Sequence, residues 1–331
     1  MEREPNTEYI LSLSYGKDSI ACLEAIKRLG YPLDRIIHAE VWATDTIPAD
    51  LPPMVEFKSY ADKIIKEKYG IEVEHICAVW GKKLTYEIQF YDWINTGRNR
   101  DRIYGFPYTL GAWCNSSLKV SALSRIGKGN LRERVLSHSE KEANQQKLRR
   151  EGLRFPEQIE NGSMVQQQIK SKSIEPIDKF SNSATVRGAK KNIVQYLGIA
   201  ADEPERIKRH SVPGKILPLV DIGWDEAYCR QWCEENELLS PIYTTSARGG
   251  CWFCHNQGVD QLRLLRQDYP ELWAILLKWD LDSPATFKAD GHTVHDYDKR
   301  FAAEDKGLIK AGDKKFRWKQ VLETKTDKNE K

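Results

Sequence analysis

Six consecutive residues, Ser14-Tyr15-Gly16-Lys17-Asp18-Ser19, bring together two hydroxyls, an ammonium, a carboxylate and a glycine. Such a set suits an anion. The hydroxyls and backbone N–H groups donate, Lys17 adds charge, and Gly16 lets the backbone approach a phosphate closely. The spacing is not that of a Walker A loop, which needs G-x-x-x-x-G-K-[ST]. A second set is sulfur-based. Cys251-Trp252-Phe253-Cys254 is a C-x-x-C on a glycine-rich turn, and Cys114 stands far upstream as a third thiol. Three thiolates suit an iron–sulfur cluster with one iron left open. With His255 or His210 as a fourth ligand they suit a zinc ion. A redox dithiol is a third reading, but the thioredoxin-like βαβ context is missing. Plain packing is the fourth. Cys22, Cys77, Cys229 and Cys233 fall in apolar helix or strand patterns and read as small hydrophobes.

The elements that must hold these groups alternate. Residues 9–13 read as a short buried strand, and 20–29 as a helix stopped by Gly30. Strand-like runs follow at 35–41, 72–79, 193–199 and 216–220, with a helix from about Met54 to Tyr69 ended by Gly70. This alternation predicts an α/β fold, a Rossmann-like parallel sheet with ligands at the carboxyl ends of its strands. The Ser14–Ser19 turn then lies on the ligand edge, together with Thr44-Asp45-Thr46 and Asp202-Glu203. From Val259 onward the pattern is helical, with Asp268 as a cap ahead of Pro270. Two regions are expected: an α/β domain over 1–250, and the C-x-x-C turn with a helical C-terminal region over 251–331.

Residues 127–190 break the rhythm. They carry thirteen Lys/Arg against eight Asp/Glu within a chain of net charge +3, with few apolar side chains. One reading is a solvated insertion, helical in part between Asn130 and about Arg150. The other is a surface for a nucleic acid or a protein partner. No apolar run reaches the length of a membrane span and Met1–Pro5 contains no apolar signal core, so the expected location is cytoplasmic.

The S-x-G-K-D-S pattern resembles the PP-loop of the adenine nucleotide alpha-hydrolase superfamily, in the branch named for phosphoadenosine phosphosulfate (PAPS) reductases. Further blocks carry the same resemblance: Gly105-Phe106-Pro107 with Trp113-Cys114 and Leu118-Lys119, Gly198 to Glu203 with Arg206, Pro218-Leu219-Val220-Asp221, and Gly250 to Cys254. It covers roughly residues 8–125 and 190–300. Two departures separate this chain from sulfonucleotide reductases. No cysteine follows Cys254 to act as their C-terminal nucleophile, and Cys114 lacks the adjacent partner of the cluster-bearing members. The one-plus-two cysteine pattern is more similar to PP-loop sulfur-transfer enzymes that thiolate tRNA or the DNA backbone.

That resemblance implies an ATP-pyrophosphatase-type (adenylating) enzyme. Ser14, Tyr15, Gly16, Lys17, Asp18 and Ser19 would hold the nucleotide, with Asp45, Arg206 and Arg209 beside them. Mg²⁺ would bridge the phosphates near Asp18 or Asp45. Lys17, Asp18 and Lys119 are the catalytic candidates, and Cys114, Cys251 and Cys254 would hold a [4Fe–4S] cluster, with zinc as the alternative. A substrate oxygen would attack the α-phosphorus of ATP, and sulfur would then displace AMP. The rivals are a PAPS reductase or sulfotransferase, and a catalytically silent module that binds nucleotide or nucleic acid.

Overall fold

Short apolar runs rich in Ile, Val and Tyr build a five-stranded, all-parallel sheet in the order β3-β2-β1-β4-β5. In this computed structural model the described residues are 1–79, 83–95, 97, 100–107, 112–123, 192–245, 250–313 and 316–322. The strands are β1 (Thr7–Ser12), β2 (Arg35–Glu40), β3 (Val73–Cys77), β4 (Asn192–Tyr196) and β5 (Lys215–Ile216). β1 lies at the centre, with Leu11 opposite Ile36 of β2 and Tyr196 of β4. From β1 the chain builds outward to β2 and β3, then returns to the other side for β4 and β5. The carboxyl end of β1 is therefore the switch point, where a doubly wound sheet opens a crevice.

Helix α1 (Lys17–Arg28) leaves that point directly, burying Ile20, Ala21, Leu23, Ala25 and Ile26 against the sheet. Helix α2 (Pro52–Tyr69) opens on two prolines, whose missing N–H groups cost nothing in a first turn, and ends on Gly70 at φ 73°. After β3 come α3 (Tyr86–Phe90) and a π-helical turn (Asn115–Val120), and beyond β4 come α4 (Pro204–His210) and α5 (Glu226–Glu235). The C-terminal part carries α6 (Val259–Asp268), α7 (Pro270–Asp282) and α8 (Val294–Asp305). None of the described helices is long and apolar enough to cross a membrane.

Two apolar cores result. One joins β1 and α1 to α5 through Leu11, Ile20, Leu23, Ile26, Cys229, Trp232 and Cys233. The other joins the segment after β2 to the C-terminal helices through Phe90, Phe106, Trp113, Trp252, Trp279 and Phe287. Residues 1–127 and 191–331 form one compact unit. The polar stretch 127–190, with its expected helix and its partner surface, lies outside the described residues.

Two local expectations need correction. Pro218–Asp221 is a helical turn and not the continuation of β5, because Pro218 starts a helix readily and cannot donate to a ladder. Tyr269, with no side-chain cap, precedes α7, while Asp268 closes α6.

Candidate functional site

The Ser14–Ser19 turn is tied to itself. Ser19 Oγ donates to Gly16 O at 3.0 Å and accepts from Ser14 N at 3.1 Å and Ser14 Oγ at 3.0 Å. Gly16 occupies the N-cap of α1 with no side chain capping the helix. The first turn therefore presents backbone donors and the positive end of the helix dipole. Lys17 N donates to Tyr243 Oη at 3.1 Å, a partner 226 residues away. Tyr15 sits at φ 57°, a left-handed conformation that a bulky residue adopts only when its surroundings impose it. Its side chain is buried and turned away from the crevice. The phenol donates to Asp62 and meets His75 Nε2 at 3.1 Å.

A cavity of about 420 Å³ opens at this switch point. Ser14, Gly16, Asp18 and Ser19 line it together with Lys119, Arg206 and Cys251. Of the other nucleotide candidates, Tyr15, Lys17, Asp45 and Arg209 are not in its wall. The Lys17 ammonium is committed elsewhere, 2.7 Å from Asp18 and 3.2 Å from Glu226. The Asp45 backbone carbonyl accepts from Lys83, and it is Asp50, five residues further on, that reaches the cavity. Arg206 is held by Glu203. Asp18, Glu203 and Glu226 bring ligand atoms within 4.8 Å of one another, and burial raises the Asp18 carboxyl above its ordinary range. Lys17 and Arg206 already balance most of that charge.

The thiols meet around Tyr86. Its ring packs 5.0 Å from Trp113, the neighbour of Cys114, and 4.1 Å from Phe253, inside the C-x-x-C. The Tyr86 hydroxyl is buried and, among the described residues, has no hydrogen-bond partner. Burial raises its phenol strongly, and Cys114, Cys254 and Cys251 around it raise it further. Cys254 N donates to Cys251 O at 3.0 Å, closing the turn, and Gln257 Nε2 donates to the same carbonyl at 2.7 Å. Burial pushes the Cys251 thiol up to about 12, against the pull of Lys119, and raises Cys114 as well. Among the described residues the trio is not one of the groups whose ligand atoms all lie within 4.8 Å. His255 follows the turn directly, whereas His210 closes α4 among Lys215, Arg206 and Arg209.

A charged cluster behind the turn escaped sequence reading. His75 Nδ1 lies 3.0 Å from Glu40 and its Nε2 lies 2.9 Å from Asp62. These contacts, Asp62 first, push His75 up to about 9, and the hydrogen bond from His75 brings Glu40 down to about 2. His38 behaves in the opposite way, lowered to about 4 by burial. Lys58 joins the group, 2.6 Å from Asp50 and 2.7 Å from His38 Nε2. Gly198 belongs to one of the blocks that carry the resemblance, but its close approach to the turn was not read from the sequence: a Cβ there would meet Ser19 Cα at 2.6 Å. The only sequence signal for His38, Asp50 and Lys58 is a set of polar side chains at the end of β2 and the start of α2, without motif spacing.

No family model matches the chain, and no curated protein or solved structure is detectably similar to it.

Proposed function

We propose that this chain is an ATP-pyrophosphatase-type enzyme that adenylates an oxygen on its substrate and couples that step to sulfur transfer at a three-thiol centre. One observation carries the reading: a single cavity is walled at once by the Ser14–Ser19 turn and by Cys251. A phosphate bound at the turn would meet the N-terminus of α1 and the two serine hydroxyls. Arg206 and Lys119 add charge in the same wall. Stabilising the pyrophosphate leaving group is the main means by which such a site accelerates adenylyl transfer. Mg²⁺ bound with the nucleotide needs only one or two protein carboxylates, and Asp18 is the member of the acidic group that faces the cavity.

The thiol geometry favours a cluster over a single zinc. Tetrahedral zinc with bonds of ~2.3 Å draws its sulfurs to about 3.8 Å of one another, and at least one pair in this trio stands farther apart than 4.8 Å. A cluster with a separate iron under each thiolate accepts a wider spacing. The buried Tyr86 hydroxyl, without a partner among the described residues and within the electrostatic reach of Cys114, Cys251 and Cys254, is a donor that an acceptor there would satisfy. When bound, such a cluster would supply sulfur near the cavity. The protein's own part is to hold the thiolates, through the Trp113–Tyr86–Phe253 stack, beside the wall where Cys251 and Lys119 emerge.

The test is an anaerobic preparation assayed for iron and for products. Pyrophosphate release from ATP, with about four irons per chain lost in Cys251→Ala, fits the reading. Sulfite from PAPS with no pyrophosphate from ATP overturns it in favour of a sulfonucleotide reductase. Nucleotide or nucleic-acid binding without product under either condition leaves only a binding module.

A further inference from the structure

Lys58 projects from α2 with its side chain only 8% exposed, and it borders both the cavity at the turn and a second cavity of about 340 Å³ behind it. A lysine this buried needs partners. Asp50 Oδ2 is one, at 2.6 Å, and His38 Nε2 is the other, at 2.7 Å. The histidine's tautomer follows from its second contact. Nδ1 lies 2.8 Å from Leu13 O, and a carbonyl can only accept, so Nδ1 carries the proton and Nε2 offers a lone pair to the ammonium. The chain Lys58–His38–Leu13 thus ends on the residue just before Ser14. Lys58 also stands 5.6 Å from the ring of Tyr15, within the turn.

Two of the three ammonium protons are accounted for, and Glu40 at 3.7 Å is beyond hydrogen-bond reach for the third. Among the described residues the cationic side chains in the cavity wall are Lys58, Lys119 and Arg206. Arg206 is paired with Glu203, and the charge of Lys119 acts on Cys251 and Cys114. Lys17, the ammonium that the motif itself offers, pairs with Asp18 and Glu226 and, unlike Lys58, does not line the cavity.

We propose that Lys58, braced by Asp50 and His38, is the ammonium that contacts a phosphoryl oxygen of the nucleotide in this cavity. The proposal rests on the nucleotide reading above and assigns the charge that Lys17 does not deliver. Asp50 and the neutral imidazole hold the ammonium against the turn, so little side-chain entropy remains to be lost on binding.

Equilibrium binding of ATP and of adenosine to the full chain, with Mg²⁺, tests it. Lys58→Gln keeps a hydrogen-bonding end and Lys58→Met keeps the length, and both remove the charge. Either variant should lose about ten- to hundredfold in ATP affinity while adenosine binding stays within about twofold, since only the phosphates need the ammonium. Unchanged ATP binding, or a parallel loss of ATP and adenosine, overturns the assignment and makes Lys58 a packing residue. Should neither variant fold, a structure of the wild-type chain with a non-hydrolysable ATP analogue decides. Nζ within about 3.2 Å of a phosphate oxygen supports the proposal, and Nζ apart from every phosphate overturns it. Wild-type protein that binds ATP while the variants match it removes the lysine alone. Wild-type protein that binds no ATP removes the nucleotide reading and this assignment with it.

Discussion

Replacing Gly198 by alanine strikes the site through its backbone. The new Cβ would stand 2.6 Å from Ser19 Cα and 2.7 Å from both Asp18 O and Ser19 N, where ordinary contact begins at 3.4 Å. These are main-chain atoms of the first turn of α1, so no rotamer change relieves the overlap. The loop after β4 and the start of α1 must separate by about 0.8 Å, or the strain must spread into the sheet. Overpacking of this kind costs about 1–3 kcal/mol, and the upper half of that range applies because nothing flexible is in the way. The opposing gain from a stiffer unfolded chain is smaller, about 0.4–1 kcal/mol. At roughly 2–4 °C per kcal/mol, the net loss of about 1–2.6 kcal/mol lowers Tm by about 2–10 °C. The catalytic effect should exceed the stability effect. If the turn binds phosphate as proposed, a displacement near 1 Å there costs about a hundredfold in rate. Circular dichroism melts and pyrophosphate release read the two effects separately. A Gly198→Ala chain that melts within about 1 °C of wild type would refute the close approach itself, whatever the site turns out to bind.

Other perturbations reach the remaining parts of the site. The folded value of His75, about 9, lies above its ordinary 6.5, so its stabilisation is complete below about pH 6.5 and disappears as pH rises through 9. Because the ring is partly exposed, that contribution is about 1–2 kcal/mol; His75→Gln should flatten the fall of the urea midpoint across this window, and an unchanged slope would contradict it. Tyr86→Phe removes a buried hydroxyl without a partner among the described residues, so it should leave the metal-free chain as stable or up to about 1 kcal/mol more stable, and destabilise the iron-loaded chain. Melting both forms checks the reversal, and a large loss in the metal-free form would show that the hydroxyl has a partner in solution. Cys114→Ala should cut bound iron as deeply as Cys251→Ala does, measured after anaerobic reconstitution. Full iron content in Cys114→Ala would take Cys114 out of the centre.

Local signals carried much of this architecture. The runs at 9–13, 35–41 and 72–79 are apolar enough to declare strands on their own, and α2 announced its end through Gly70, which does take the left-handed cap. The three thiols were visible because cysteine is scarce and C-x-x-C spacing is specific. What stayed hidden depends on pairs distant in sequence. Tyr243 reaches Lys17 N across 226 residues, and Gly198, although it opens a motif block, carries no local sign that it abuts Ser19. The irregular segment after β2 has no periodicity, so nothing local distinguishes Asp45 from Asp50 as the carboxylate that turns inward. Likewise the motif predicts an ammonium on the phosphates but cannot foresee that Asp18 and Glu226 claim Lys17.

That same segment after β2 explains how two separate cores produce one site. Val41, Ala49 and Asp50 all border the cavity at the turn. On one side Asp50 pairs with Lys58, whose His38 link runs to Leu13 and hence to the turn. On the other, Ala49 O accepts from Trp252 N at 2.9 Å and Pro48 O accepts from Trp252 Nε1 at 3.0 Å, which fixes the C-x-x-C. Three consecutive residues thus join the anion turn to the thiols by hydrogen bonds of ordinary length. Trp252 itself is fully buried and stacks on Trp279 at 5.6 Å, so the thiol side is braced by the aromatic core and not by the sheet. A strain introduced at Pro48–Asp50 would reach both ends together, whereas strain in α7 would reach the thiols first. The spacing between the Ser14–Ser19 turn and the C-x-x-C is therefore set by the short segment between β2 and α2, which carries no regular helix or strand.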